Sequence, residues 1–283
     1  MNPSESALVG SFTSRIGPLD ARAMRAARER QSQLAKPPGS LGRLEELSIK
    51  LAGITGQARP HLPRKAVIVL AADHGVAVEG VSAYPQAVTP QMVANFLAGG
   101  AAINVLARRS GARVIVADVG VAADLADQPG LISRKIRYGT RNMAEGPAMS
   151  TDESLAAITI GAEIVAKEIE LGLDIVATGD MGIGNTAASS AIVAALTGCA
   201  VRDVTGRGTG LDDAGWKHKV AVIALSRRMH WTFSRRSGAM RSRVWSESSW
   251  KRHRDGSQSS STASSLAPRR SSPPSYARPP ATT

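Results

Sequence analysis

The strongest constraint on this chain is a pattern that occurs three times: a short apolar run ending in an aspartate close to a glycine. Ala66–Ala72 (AVIVLAA) leads into Asp73-His74-Gly75, and Ala112–Ala117 (ARVIVA) into Asp118-Val119-Gly120. Leu173–Ala177 (LDIVA) leads into Gly179-Asp180-Met181-Gly182. Runs that are apolar throughout, rather than at alternate positions, predict strands buried on both faces. Helical stretches separate them, and strands alternating with helices predict an α/β fold with a parallel sheet. Ligands of such sheets sit beyond the carboxyl ends of the strands. Asp73, His74, Asp118 and Asp180 are therefore expected to share one crevice. The set has no compact His/Asp spacing on one element, so it does not read as a metal site.

The third repeat is the most informative. After its strand, Gly179–Gly184 lets the backbone turn tightly and approach a ligand. Asn185 and Thr186 are suited to cap the helix predicted over Ala187–Leu196. Strand, glycine turn and helix N-terminus together suit an anion such as phosphate, and Asp180 adds a carboxylate at its rim. A plain crossover loop with a solvated aspartate fits the same residues. A second glycine turn, Val204–Gly210 (VTGRGTG), follows. Neither turn runs into Lys-Ser or Lys-Thr, which excludes a P-loop. Lys36-Pro37-Pro38-Gly39-Ser40-Leu41-Gly42 lies between helices predicted at Leu19–Leu34 and Leu44–Ile54. It reads either as an ordinary linker or as a rigid loop whose Lys36 and Ser40, with Arg43 at the following helix start, hold a carboxylate or phosphate.

One helix is predicted over Gln91–Arg108, bent or closely packed at Gly99-Gly100. Ser150 and Glu153 form a capping box for a helix ending at Gly172, and Leu131–Met149 reads as irregular. The single cysteine, Cys199, excludes a disulfide framework within the chain and is expected to be a small buried residue. No stretch approaches ~18 uninterrupted apolar residues and the first twenty lack an apolar core, so a cytoplasmic protein without a membrane span is expected. The net charge of +12 is unevenly placed. Residues 226–283 hold 12 of the 35 Lys and Arg and 2 of the 23 Asp and Glu, leaving 23 basic and 21 acidic residues in 1–225. The body thus carries no large electrostatic footprint for nucleic acid.

Taken together, KPPGSLGRLE at 36–45, AADHGV at 71–76, YPQAVT at 84–89, GPAMS at 146–150, GDMGIGNT at 179–186 and VTGRGTGLDDAGWKHK at 204–219 resemble one family. It is the nicotinate-nucleotide–dimethylbenzimidazole phosphoribosyltransferases of cobalamin synthesis, and the resemblance covers about residues 18–225. It implies a Rossmann-like parallel sheet flanked by helices, with a small helical part and a homodimeric assembly. It also implies transfer of phosphoribose from nicotinate mononucleotide to a nitrogen of 5,6-dimethylbenzimidazole, with inversion at the sugar carbon and no cofactor or metal. Carried over by position, Lys36, Pro37, Gly39, Ser40, Gly42, Asp73, His74, Gly75, Tyr84, Pro85 and Gln86 would line the crevice. Gly182, Gly206, Gly208 and Lys219, with Asn185 and Thr186, would hold the mononucleotide. Asp180 stands where many members carry glutamate and is expected to act as a supporting carboxylate.

Near Leu225 the composition changes. Residues 226–283 contain 16 serines and three of the four tryptophans, and end in a low-complexity Arg/Ser/Pro stretch, a composition that predicts disorder. An evolved basic tail that binds nucleic acid or an anionic surface is one reading. A shift of reading frame is the favoured one: Ser261–Leu266 can be encoded by codons that give Asp-Gly-Phe-Ile-Ala when displaced by one base. The expected organisation is a helical segment at 1–60, an incomplete transferase domain at 61–225 and a basic tail at 226–283. The family's general base is a glutamate in a Gly-Glu-Gly segment, and this sequence contains no such segment. Its expected activity is therefore impaired transfer, or nucleotide binding without turnover.

Overall fold

Four parallel strands in the order β3-β2-β1-β4 form the centre of the computed structural model, which describes residues 10–125 and 128–230, with side chains to Ser226. The strands are β1 (Lys65–Ala72), β2 (Ala112–Gly120), β3 (Leu131–Ser133) and β4 (Ile175–Met181). The helices are α1 (Ala21–Gln33), α2 (Arg43–Thr55), α3 (Val88–Leu97), α4 (Ala102–Ser110), α5 (Thr151–Glu170), α6 (Asn185–Thr197), α7 (Val201–Val204) and α8 (Asp213–His230). A 3-10 turn occupies Gly75–Glu79. The described residues fall in one compact unit. Most of the basic stretch expected at 226–283 lies outside them, and α8 crosses its expected start.

The continuous apolar runs of β1 and β2 are explained by helices on both faces. Val67, Val69 and Ala71 pack with Val116 against Val93 and Phe96 of α3. The alternate residues Ala66 and Ile68 pack with Ile115 and Ala117 against Ile160 and Ile164 of α5. Helix α5 begins with the predicted capping box: Ser150 Oγ accepts from Glu153 N at 3.1 Å and Glu153 Oε2 accepts from Ser150 N at 2.6 Å. A third cluster joins Val76 and Val81 to Ala187 and Ala194 of α6 and to Val222 and Ile223 of α8. The α1–α2 hairpin closes through small residues, Ala23 and Ala27 against Ala52. Leu44, Leu47 and Ile54 of α2 remain exposed.

Four local expectations are corrected. The third apolar run was expected to be a buried strand, but β4 is the sheet's edge and Ile175 to Thr178 are exposed. Its outer edge pairs with no strand among the described residues. The single helix over Gln91–Arg108 is two helices, because Gly99 takes a left-handed conformation (φ 76°) that ends α3. The segment after Leu131, expected to be irregular, opens with the three-residue β3 paired to Val116–Asp118. Cys199 is exposed rather than buried, since it follows the Gly198 turn beyond Ala194, the last buried residue of α6.

Candidate active site

The carboxyl ends of β1 and β4 meet at a glycine turn with no room for a side chain. A Cβ on Gly182 would stand 1.8 Å from the carbonyl oxygen of Ala72, so only glycine lets this turn cross the end of β1. The turn also packs on His74, whose Cδ2 and Cβ would lie 3.2 and 3.1 Å from Cβ atoms placed on Gly182 and Gly184. Burial holds the His74 imidazole below its ordinary pKa of 6.5, while the Asp73 and Asp180 carboxylates pull it upward without prevailing. His74 is thus a neutral ring at neutral pH that feels the charge of two carboxylates. Across β1, Gly75 is closed over by residues 140–142, and its N–H donates to Thr140 Oγ1 at 3.1 Å.

The three strand-end aspartates have different surroundings. Asp73 is 1% exposed; its Oδ2 accepts from Ala122 N at 2.8 Å, and its Oδ1 has no hydrogen-bond partner among the described residues. Asp118, also 1% exposed, accepts from Gly120 N and Val121 N at 3.0 and 2.8 Å and pairs with Lys135 Nζ at 3.0 Å. The sheet register contributes to the contrast: Asp118 stands opposite Ala71 and Asp180 opposite Leu70. Asp180 is exposed and accepts from Asn185 Nδ2 at 2.5 Å. A crevice formed by all four predicted residues is therefore not what the chain builds. Asp118 closes a loop, and His74 and Asp180 stand together at the glycine turn.

Just past that turn lies a buried cation. Lys219 on α8 is 0% exposed, and its Nζ donates to Thr186 Oγ1 at 2.7 Å in the first turn of α6. No carboxylate lies within salt-bridge distance of it among the described residues, and burial pulls its pKa below the usual lysine range. Gly208 covers the pair: a Cβ there would stand 2.8 Å from Thr186 Oγ1 and 2.9 Å from Lys219 Nζ. With φ at +58°, this position favours glycine twice over. Helix α6 starts at Gly184 without a side-chain cap, so its positive end adds to the lysine charge.

The second glycine turn is tied to the Tyr84–Gln86 segment. Thr209 Oγ1 accepts from Ala83 N at 2.9 Å and lies 3.1 Å from Ser82 Oγ. Thr89 Oγ1 accepts from Ile183 N at 3.1 Å, fixing the other end of that segment to the first glycine turn. Tyr84 and Pro85 are exposed and Gln86 is half-buried. Sequence reasoning did not single out Ser82 or Thr209, because isolated hydroxyls in loops carry no spacing signal. Gly206 faces a separate cavity of about 450 Å³, lined also by Arg202, Arg207, Trp216 and Lys217. The contacts of the Lys36–Gly42 loop are local: Lys36 Nζ pairs with Glu45 Oε1 at 2.6 Å, and Leu41 N donates to the same oxygen. Pro37, Gly39, Ser40 and Gly42 belong to this hairpin, and none of the loop's hydrogen bonds reaches His74, Asp180 or Lys219. Among the described residues, no group of three His, Cys, Asp or Glu could hold a metal ion.

A neutral histidine, an exposed carboxylate and a buried lysine at a helix start form a polar site suited to a phosphorylated ligand. A phosphoribosyltransferase family model matches residues 16–241. The chain belongs to this family. Among relatives of the transferase, the nicotinate-nucleotide–dimethylbenzimidazole phosphoribosyltransferase of Chloroflexus aggregans is 61% identical over 215 residues, 76% of this chain and 61% of that protein. The protein of the same name from Desulforudis audaxviator is 62% identical over 209 residues, 74% of this chain and 59% of its own length. A crystal structure of CobT from Thermus thermophilus superposes with a TM-score of 0.71 at 50% identity, covering 74% of this chain and 63% of that one. The chain thus spans about three fifths of the length of the relatives it matches. No described helix is long and apolar enough to cross a membrane.

Proposed function

We infer that this transferase chain binds nicotinate mononucleotide and presents its phosphoribose for transfer to 5,6-dimethylbenzimidazole, giving α-ribazole 5'-phosphate and nicotinate. The observation that carries this reading is Lys219. A fully buried lysine without an acidic partner is costly unless an anion completes its site. Thr186, Gly208 and the uncapped start of α6 favour that anion where a 5'-phosphate would sit. The ribose then extends towards Asp180. As the bond from the sugar carbon to the pyridinium nitrogen breaks, its electron pair leaves with nicotinate, and positive charge grows on the ribose. The Asp180 carboxylate opposes that charge. A benzimidazole nitrogen attacks the opposite face, forming the new bond with inversion, and the ring's N–H proton must pass to a base. His74, Gly75 and the Tyr84–Gln86 segment form the wall on the acceptor side.

In this reading the described residues bind the donor and oppose the charge that grows on its ribose. The organisation proposed is a helical part at 1–60, transferase residues at 61–225 and an appended basic stretch, in a cytoplasmic homodimer that needs no cofactor. The Lys36–Gly42 loop would reach its substrate by movement of the hairpin or across the dimer.

Calorimetry with nicotinate mononucleotide and chromatography of α-ribazole phosphate test the two halves of this reading separately. Binding is expected for the full chain, with affinity lowered about 100-fold in Lys219→Met. Absence of binding, or an unaffected variant, would remove the phosphate assignment. Formation of α-ribazole phosphate from the two substrates is the expected result, and its absence would overturn the transfer step.

A further inference from the structure

Residues 79–89 are tied to the glycine turns and to α8, and each tie starts beside a residue of the phosphate seat inferred above. His218 Nε2 lies 2.6 Å from Glu79 O, and His218 precedes Lys219. Thr209 Oγ1 accepts from Ala83 N at 2.9 Å, and Thr209 follows Gly208, which covers Lys219 and Thr186. Ile183 N donates to Thr89 Oγ1 at 3.1 Å, and Ile183 precedes Gly184, where α6 starts. Val81 is buried in the cluster shared with α6 and α8, which holds the base of the segment. The segment that carries the acceptor wall is thus built onto the elements that seat the donor.

The middle tie is the one that reaches Tyr84. Tyr84 N donates to Ser82 Oγ at 3.2 Å, and Ser82 Oγ stands 3.1 Å from Thr209 Oγ1. Together with the bond from Ala83 N, this hydroxyl pair fixes the backbone from Ser82 to Tyr84. The turn that carries Thr209 has other supports. Ser190 Oγ donates to Val204 O at 2.9 Å, Trp216 Nε1 to Thr205 O at 2.7 Å and Arg207 Nη1 to Leu211 O at 2.9 Å. Loss of the Thr209 hydroxyl therefore frees the acceptor wall and leaves Gly208 over Lys219. Transfer needs the acceptor nitrogen in line with the sugar carbon, so a small shift of one seat against the other is costly.

We propose that Thr209 is a positioning residue that sets the Tyr84–Gln86 acceptor wall against the phosphate seat. It acts through Ser82 and Ala83 rather than on a substrate. This role rests on the donor and acceptor sites inferred above.

Separate calorimetric titrations of the full chain with nicotinate mononucleotide and with 5,6-dimethylbenzimidazole test it. In Thr209→Val, which keeps the shape and removes the hydroxyl, acceptor affinity should fall about 10-fold, while donor affinity stays at the parent's value. Thr209→Ser should restore acceptor affinity. Ser82→Ala breaks the same tie from its other end. Combined with Thr209→Val, it should weaken acceptor binding by less than the product of the two single effects. Equal losses of donor and acceptor affinity in Thr209→Val would reduce Thr209 to a support of its own turn and overturn the role. So would parent-like acceptor binding in Thr209→Val or in Ser82→Ala, failure of Thr209→Ser to rescue, or a parent chain that binds the donor and not the acceptor. A parent chain that binds no donor would remove the phosphate assignment itself, and this role with it.

Discussion

Asp118 and Asp180 look alike in the sequence, each near the end of an apolar run and close to a glycine, yet the fold uses them in opposite ways. Asp118 ends a strand with a neighbour on both sides, and its carboxylate is consumed by two backbone N–H groups and Lys135. Lys135 is fully engaged in turn, donating to Val121 O and Ala123 O at 2.5 and 2.8 Å. Asp180 lies near the end of the edge strand, where its hydrogen-bond partner among the described residues is Asn185 and the residue is exposed. Residue type and local spacing are the same in both. Position in the sheet decides whether a strand-end carboxylate holds a loop or remains available to a ligand.

The sharpest way to break this contrast is Asp118→Ala. It strands the Lys135 ammonium in a largely buried setting and frees two backbone N–H groups. Removal of one partner from a buried ion pair costs about 3–5 kcal/mol, so urea unfolding should shift by that amount with an unchanged m-value. A loss below about 1 kcal/mol would place Asp118 in the same class as exposed aspartates. No catalytic role for Asp118 is needed to explain such a loss.

The sequence carried this contrast only in part. Strands β1 and β2, the capping box of α5 and the glycine turns were legible because each is specified by local periodicity or backbone chemistry. The edge position of β4 was not, because Ile175-Val176-Ala177 reports apolarity and not which strands stand beside it. The break after Leu97 turned on the left-handed Gly99, which the pattern allowed either as a bend or as an end. Resemblance pointed to Lys219, but its burial was hidden in the polar run Trp216-Lys217-His218-Lys219. The tethers from Thr89 to Ile183 and from Thr209 to Ala83 join segments 94 and 126 residues apart. No local window contains such pairs.

A medium-sized effect separates His74 from the exposed end of the site. Its folded pKa lies below 6.5 because burial disfavours the imidazolium. The unfolded chain therefore binds the proton more readily than the folded one. Stability from this group is fully present above about pH 6.5 and is lost as pH falls from there through the folded pKa, after which the contribution is flat. Unfolding free energies measured between pH 5 and 8 should fall towards the acid side in the parent chain. They should be flatter in His74→Gln across the same range. Equal slopes in the two chains would mean that burial does not control this ring.

The smallest effect is expected at Asp180, which sharpens the comparison from its other side. Asp180→Asn keeps an oxygen that can accept from Asn185 and changes an exposed group, so stability should move by less than about 0.5 kcal/mol. The charge is nevertheless felt by His74, whose imidazolium both Asp73 and Asp180 favour. Removing the Asp180 carboxylate leaves burial less opposed, and the His74 titration followed by NMR should move to lower pH. A shift to higher pH, or none, would show that Asp180 is insulated from the histidine. A small change in stability combined with a downward shift would identify a carboxylate that acts on the site's electrostatics without holding the fold together. In Asp118→Asn, by contrast, the buried Lys135 loses its counter-charge, and the expected cost is in stability.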